Sequence, residues 1–208
     1  MTKRFSALAL LLAALTFGLV ACGGDDQEPV AQIDELAGVE TEVTFDKGFV
    51  EALGQLQLTP GVVGDGKFTK NGGAAAFPIT GGNVTYYDPS ESLRPYVQGT
   101  INHDGAGLSL TGGGTTVELT DFEIDPGTSE LTGNVTANGE TAAEGALLFK
   151  LDGSTLKPLK MKGGNAVLKG TTVLLSKDAA DLLNETFKVD ALAEDFVIGA
   201  SKITFAGK

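Results

Sequence analysis

The stretch from Tyr96 to Val135, YVQGTINHDGAGLSLTGGGTTVELTDFEIDPGTSELTGNV, constrains the fold more than any other part of the chain. Val97, Gly99, Ile101 and His103 fall on one face of an extended segment, and Leu108 and Leu110 resume the alternation after Gly105-Ala106-Gly107. Gly112-Gly113-Gly114 makes a turn, after which Val117 and Leu119 follow with period two. The phase then slips by one residue to Phe122 and Ile124, as a β-bulge near Thr120-Asp121 produces. Asp125-Pro126-Gly127 turns the chain again before Leu131, Gly133 and Val135 begin another strand. Strands punctuated by Gly or Pro-Gly turns at spacings of about 8–12 residues predict an antiparallel β-sandwich or barrel.

The flanking sequence extends the pattern. Thr41, Val43 and Phe45 alternate as a first strand, and Phe49, Leu53 and Leu56 recur at helical spacing, which predicts a short helix from about 47 to 57. Gly64-Asp65-Gly66, Asn71-Gly72-Gly73 and Gly81-Gly82-Asn83 read as turns around strands at 75–80 and 84–87. Beyond Val135, Asn138-Gly139 and Gly163-Gly164-Asn165 are further turns, with strands through Leu147-Phe149-Leu151 and 171–175. Ser176 is a good N-cap for a second helix, 177–187, whose apolar stripe is Ala179, Leu182, Leu183 and Phe187. Ser201, Ile203 and Phe205 form a closing strand expected to pair beside the first. The expected fold class is therefore mostly β: an antiparallel β-sandwich with two short helices.

The N-terminus carries a different kind of signal. Lys3 and Arg4 precede an apolar run from Phe5 to Val20, and Leu19-Val20-Ala21-Cys22-Gly23 has the form of a bacterial lipobox. This resembles a lipoprotein signal peptide, cut before a cysteine that receives a diacylglycerol. Two acyl chains give stable anchoring where one is marginal. The implied organisation is a signal peptide at 1–21, an acidic flexible tether at 22–38 lifting the domain from the membrane, and a folded domain at 39–208. Cys22 is the only cysteine, so an intrachain disulfide cannot form. The expected location is the cell envelope, outside the cytoplasm, with a membrane contact through the lipid at Cys22.

Charge and residue inventory narrow the chemistry. A net charge of −12 argues against nucleic acid, which demands a basic surface, and against docking on anionic lipid through a basic patch. A Ser/His/Asp arrangement would depend on His103, the only histidine, and no G-x-S-x-G pattern is present. One histidine and one lipidated cysteine cannot build the usual zinc site. The glycine runs stand between strands, not between a strand and a helix, so no phosphate-cradling loop is indicated. Asp121, Glu123 and Asp125 alternate as the solvated face of a strand, and the Asp-rich turns at Asp65 and Asp125 leave a calcium site as a minor reading. The chain is expected not to be an enzyme. His103 reads first as a hydrogen-bonding residue at a strand end, and Tyr86, Tyr87 and Tyr96 as core and rim fillers.

In order along the chain, Thr44-Phe45 before a short helix, FPITGG at 77–82, GTINHDGAGLSL at 99–110, TTVELTDFEID at 115–125 and LTGNV at 131–135 resemble the HtaA-type haem-binding domain. The helix SKDAADLLN at 176–184 and FVIGASKITF at 196–205 fit the same family's ending, so the resemblance spans roughly 39–206. It implies a β-sandwich with a few helices, in which an N-terminal tyrosine ligates haem iron and a histidine supports that tyrosine. His103 matches the supporting histidine. The ligand tyrosine has no counterpart, because Phe45 is followed by Asp46-Lys47-Gly48-Phe49. If haem is the cofactor, the candidate ligands are His103 itself, then Tyr86, Tyr87 and Tyr96. The expected function is a monomeric, lipid-anchored envelope module binding haem or another small apolar ligand. The alternative is a structural or adhesive envelope module that has lost haem binding.

Overall fold

The computed structural model describes residues 27–207. The signal-peptide and lipobox expectations, including Cys22, lie outside the described residues. In chain order the elements are β1 (Ala31–Ile33), β2 (Leu36–Phe45), α1 (Lys47–Gln55), β3 (Thr59–Gly64), β4 (Lys67–Thr69), β5 (Ala74–Pro78), β6 (Gly81–Tyr86) and β7 (Val97–Gly112). They continue with β8 (Thr115–Asp125), β9 (Glu130–Ala137), β10 (Glu140–Asp152), β11 (Lys157–Lys162), β12 (Asn165–Leu175), α2 (Lys177–Phe187) and β13 (Val197–Gly207).

Every pairing between these strands is antiparallel. The strand order is β1-β6-β7-β8-β9-β10-β12-β13-β2-β5-β4, with β11 added to β12 and β3 to β7. The closing strand pairs with the first one, Ile203 opposite Thr41 and Gly199 opposite Phe45, as the sequence predicts. The sheet folds over on itself to make a sandwich. Its two halves meet through side chains such as Phe77 on β5 and Phe122 on β8, whose rings pack edge to face at 5.3 Å.

Local sequence explains the turns. Gly113-Gly114, Asn138-Gly139 and Gly163-Gly164 each place two consecutive residues at positive φ, between 53° and 85°, the geometry whose twist matches that of the hairpin strands. The expected bulge is present. Asp121 has φ +53°, and the β7–β8 register shifts between His103/Phe122 and Gly107/Thr120. At that point β7 also changes its other neighbour, pairing with β6 through Val97–Asn102 and with β3 through Ala106–Thr111. The bulge is the corner where one long strand passes from one neighbour to the other. Asp121 ties it down by accepting hydrogen bonds from the Gly105 backbone, Thr120 Oγ1 and Asn134 Nδ2 at 2.9–3.1 Å, and these bonds hold its carboxyl below the usual range.

Both helices appear where expected. Asp46 caps α1, whose Phe49 and Leu53 are buried. Ser176 caps α2, accepting from the Ala179 N–H at 3.0 Å and donating to the Leu147 carbonyl at 2.6 Å.

Two expectations need correction. Gly81-Gly82-Asn83 is strand rather than turn, in register with Asn102, Ile101 and Thr100. The folded part also begins before residue 39. Ala31–Ile33 pair with Tyr86–Val84, and Leu36 is fully buried. An apolar side chain that finds a core site belongs to the fold rather than to a tether, and the acidic residues around Leu36 concealed that in the sequence.

Candidate functional site

A cavity of about 510 Å³ lies between the halves of the sandwich. Its volume falls in the range of roughly 300–1,000 Å³ typical of small-molecule sites. Buried residues form its inner wall: Thr41 and Val43 from β2, Ile101 from β7, Ile124 from β8, Val173 from β12 and Ile203 from β13. Val97, Leu131, Leu151, Leu156 and Leu168 continue the apolar lining. Exposed Arg94, Gly127, Ser129, Gly153 and Ser154 mark the rim, contributed by three separate loops. Strand alternation makes the wall apolar, because each lining strand turns one face inward. The polar atoms that remain are hydroxyls of Thr41, Ser129, Ser154, Thr171 and Ser201, with Tyr96 and Arg94 near the mouth.

The candidate haem ligands do not converge on this cavity. His103 is fully buried and stands behind its wall, with Thr41 between. Its Nδ1 lies 3.1 Å from the Phe122 carbonyl, which can only accept, so Nδ1 carries the proton. Its Nε2 lies 2.8 Å from Thr41 Oγ1 and accepts that hydroxyl's hydrogen. Burial pushes the imidazole down to about 4 from 6.5, so the ring is neutral at neutral pH. Both nitrogens are committed inside the protein. In this structure His103 is a hydrogen-bonding residue of the core, the role its strand-end position first suggested.

The tyrosines separate. Tyr86 is buried, and its hydroxyl accepts from the Leu159 N–H at 3.2 Å. It lines a smaller cavity of about 230 Å³ beside β1 and β11. Tyr87 is half-buried, meets the Tyr96 carbonyl through its backbone N–H at 2.7 Å, and does not line the large cavity. Tyr96 does line it. Its ring packs edge to face on Tyr86 at 5.9 Å, and the Arg94 guanidinium lies 5.6 Å from its centroid. Burial raises the Tyr96 phenol above its ordinary value, which works against the phenolate that iron would need.

Asp125, offered as a calcium ligand, accepts from the backbone N–H groups of Gly127 and Thr128 and so closes its own turn. Among the described residues no group of three or more His, Cys, Asp or Glu side chains comes together in a way that could hold a metal ion.

Sequence reasoning missed Arg94 and Thr41. Arg94 stands in a loop without periodicity, where nothing betrays a cavity. Thr41 sits in a recognisable strand, but its partner is 62 residues away.

No protein-family model and no curated protein matches the sequence. Solved structures do match in fold. The C-terminal domain of HtaA from Corynebacterium glutamicum superposes with a TM-score of 0.54 at 13% identity, covering 84% of this chain and 97% of that one. The haem-binding protein HtaB from the same organism gives 0.52 at 10% identity, covering 86% and 96%. The fold is HtaA-like, as the sequence resemblance implied.

Proposed function

We propose that the chain is a lipid-anchored module of the cell envelope that binds one small, mainly apolar molecule in the 510 Å³ cavity. The observation that carries this reading is the cavity itself. A wall of aliphatic side chains around space of that size is not the close packing of a finished core. A few hydroxyls and one cation at the mouth supply the polar contacts that orient a ligand. The lipobox at Leu19–Gly23, after an apolar run, supports anchoring through Cys22 on the extracytoplasmic side of a membrane. The domain acts as a monomer with no catalytic group.

Haem is the reference ligand, because HtaB, a haem-binding protein, has this fold. The cavity residues suit the organic part of a porphyrin and do not suit its iron. The imidazole is sealed behind Thr41, and the one phenol at the cavity has a raised pKa. We therefore assign no role to a metal.

The test is titration of the mature chain with a polarity-sensitive apolar dye and with haemin. One saturable equivalent is expected, abolished by Leu151→Trp, which fills the cavity from its half-buried wall. Binding that never saturates, or that survives this substitution unchanged, overturns the reading. For the anchor, Cys22→Ala should leave the precursor uncut. Processing that continues at the same position would overturn the lipid attachment.

A further inference from the structure

We infer that the cavity selects an apolar carboxylate, its hydrocarbon body against the aliphatic wall and its acid group on Arg94, with no metal required. This rests on the reading that the cavity is a ligand site and names the ligand's class.

Arg94 is the one charged residue among those lining the cavity, in a chain whose net charge is −12. Its side chain is fixed by the loop that carries it. Nη1 donates to the carbonyls of Glu91 and Leu93 at 2.6 and 2.7 Å, and Nη2 donates to the Pro89 carbonyl at 2.8 Å. The Tyr96 ring lies alongside at 5.6 Å. Three backbone carbonyls orient the guanidinium without neutralising it, since carbonyls carry no net charge. Lys47, Lys67, Lys70, Lys150, Lys177 and Lys202 each pair with a carboxylate. Arg94 is held instead as a pre-positioned cation with two of its five N–H donors uncommitted by these bonds.

A guanidinium so placed favours a carboxylate, which can accept two parallel hydrogen bonds from it. Pre-positioning reduces the rotamer entropy that a free arginine would lose on binding. The aliphatic wall excludes a small hydrophilic acid, which would leave that surface in contact with water or empty. The shared chemistry is an apolar body with one accessible acid group, and it fits both a porphyrin propionate and a long-chain fatty acid.

The experiment compares acids with their neutral esters on the mature chain and on Arg94→Gln. The probes are metal-free protoporphyrin and its dimethyl ester, and cis-parinaric acid and its methyl ester, followed by fluorescence, with haemin as the metal-bearing arm. At least one acid should bind the unaltered chain about tenfold or more tightly than its ester, the loss expected when a charge-assisted pair is removed. Arg94→Gln should erase that difference by weakening the acid alone, and added salt should do the same in part. Which acid binds identifies the source of the carboxylate.

Equal binding of acid and ester by the unaltered chain overturns the role of Arg94 while leaving the apolar site standing. A loss shared equally by acid and ester in Arg94→Gln means that the substitution merely loosened the loop, and overturns it also. Binding of haemin alone overturns the metal-free assignment. No binding by any probe removes the ligand site itself.

Discussion

Thr41 and His103 stand 62 residues apart in the chain and 2.8 Å apart in the fold, the threonine hydroxyl donating to the imidazole Nε2. The contact joins β2 to β7, which are not neighbours in the sheet, so it ties the two halves of the sandwich together through its interior. It also fixes the division between core and cavity, because Thr41 faces both. A buried imidazole with both nitrogens bonded is stable only while neutral.

That neutrality sets a pH dependence. His103 titrates near 4 in the folded state against 6.5 as its ordinary value, so below 6.5 the unfolded chain binds the proton first. Stability from this residue is complete above 6.5, falls as pH drops from 6.5 to 4, and is lost below that, by roughly 3 kcal/mol in total. Denaturant midpoints measured across this interval should decline in the native protein. In His103→Gln, which cannot titrate, the decline between about pH 6.5 and 5, above the range of the carboxylates, should disappear.

Thr41→Val keeps shape and volume but removes the donor to Nε2. Leaving a buried acceptor without a partner costs about 1–3 kcal/mol, so the urea midpoint should fall accordingly. Thr41→Ser, which restores the hydroxyl, should recover most of the loss. A midpoint unchanged in the valine variant would show that the contact contributes nothing to stability.

Gly99→Ala tests the close approach of β6 and β7. Gly99 has φ +114°, and a Cβ there would lie within 2.2 Å of the Asn83 carbonyl oxygen. Neither the backbone angle nor the contact can relax without breaking the strand pair, so a loss of about 3 kcal/mol or more is expected. A thermal melt reads it. An alanine variant as stable as the parent would mean that the two strands separate freely at this point.

Ser176→Ala removes the cap of α2 and the bond to Leu147, which joins the helix start to β10. The expected loss is about 1–2 kcal/mol in equilibrium unfolding, with helix content measured by circular dichroism little changed. Ser176→Asp should restore the cap to the Ala179 N–H without restoring the donor to Leu147, and so give an intermediate value.

The fold was legible in the sequence wherever one short segment decides its own geometry. Period-two alternation on β7 and β8 sorted inward from outward residues, and the phase slip at Thr120-Asp121 located the bulge. Ser176 and the stripe behind it defined α2 to the residue. These signals are local: steric limits on φ and ψ, side-chain direction, and the first unpaired N–H groups of a helix act over a few residues. Where the same short string served two structures, local reading failed. Gly163-Gly164-Asn165 is a hairpin turn leading into β12, while Gly81-Gly82-Asn83 is strand, because β7 lies beside it to accept the pairing. Leu36 went unrecognised as core for the same reason, since its burial depends on partners far along the chain.

The site was decided by the tertiary structure alone. His103 stood out as the only histidine; it read first as a structural hydrogen-bonder, and the family resemblance offered it as a haem ligand. Only folding brings up Thr41 and the Phe122 carbonyl to occupy both nitrogens. Arg94 had no signal at all in the sequence. Its position over Tyr96 at the mouth of a cavity depends on loops from three parts of the chain meeting across a folded sheet. Sequence determined which residues could form strands, turns and helices, because those choices are settled by neighbours. Which side chains face one enclosed space is settled by long-range pairing, and no local pattern encodes it.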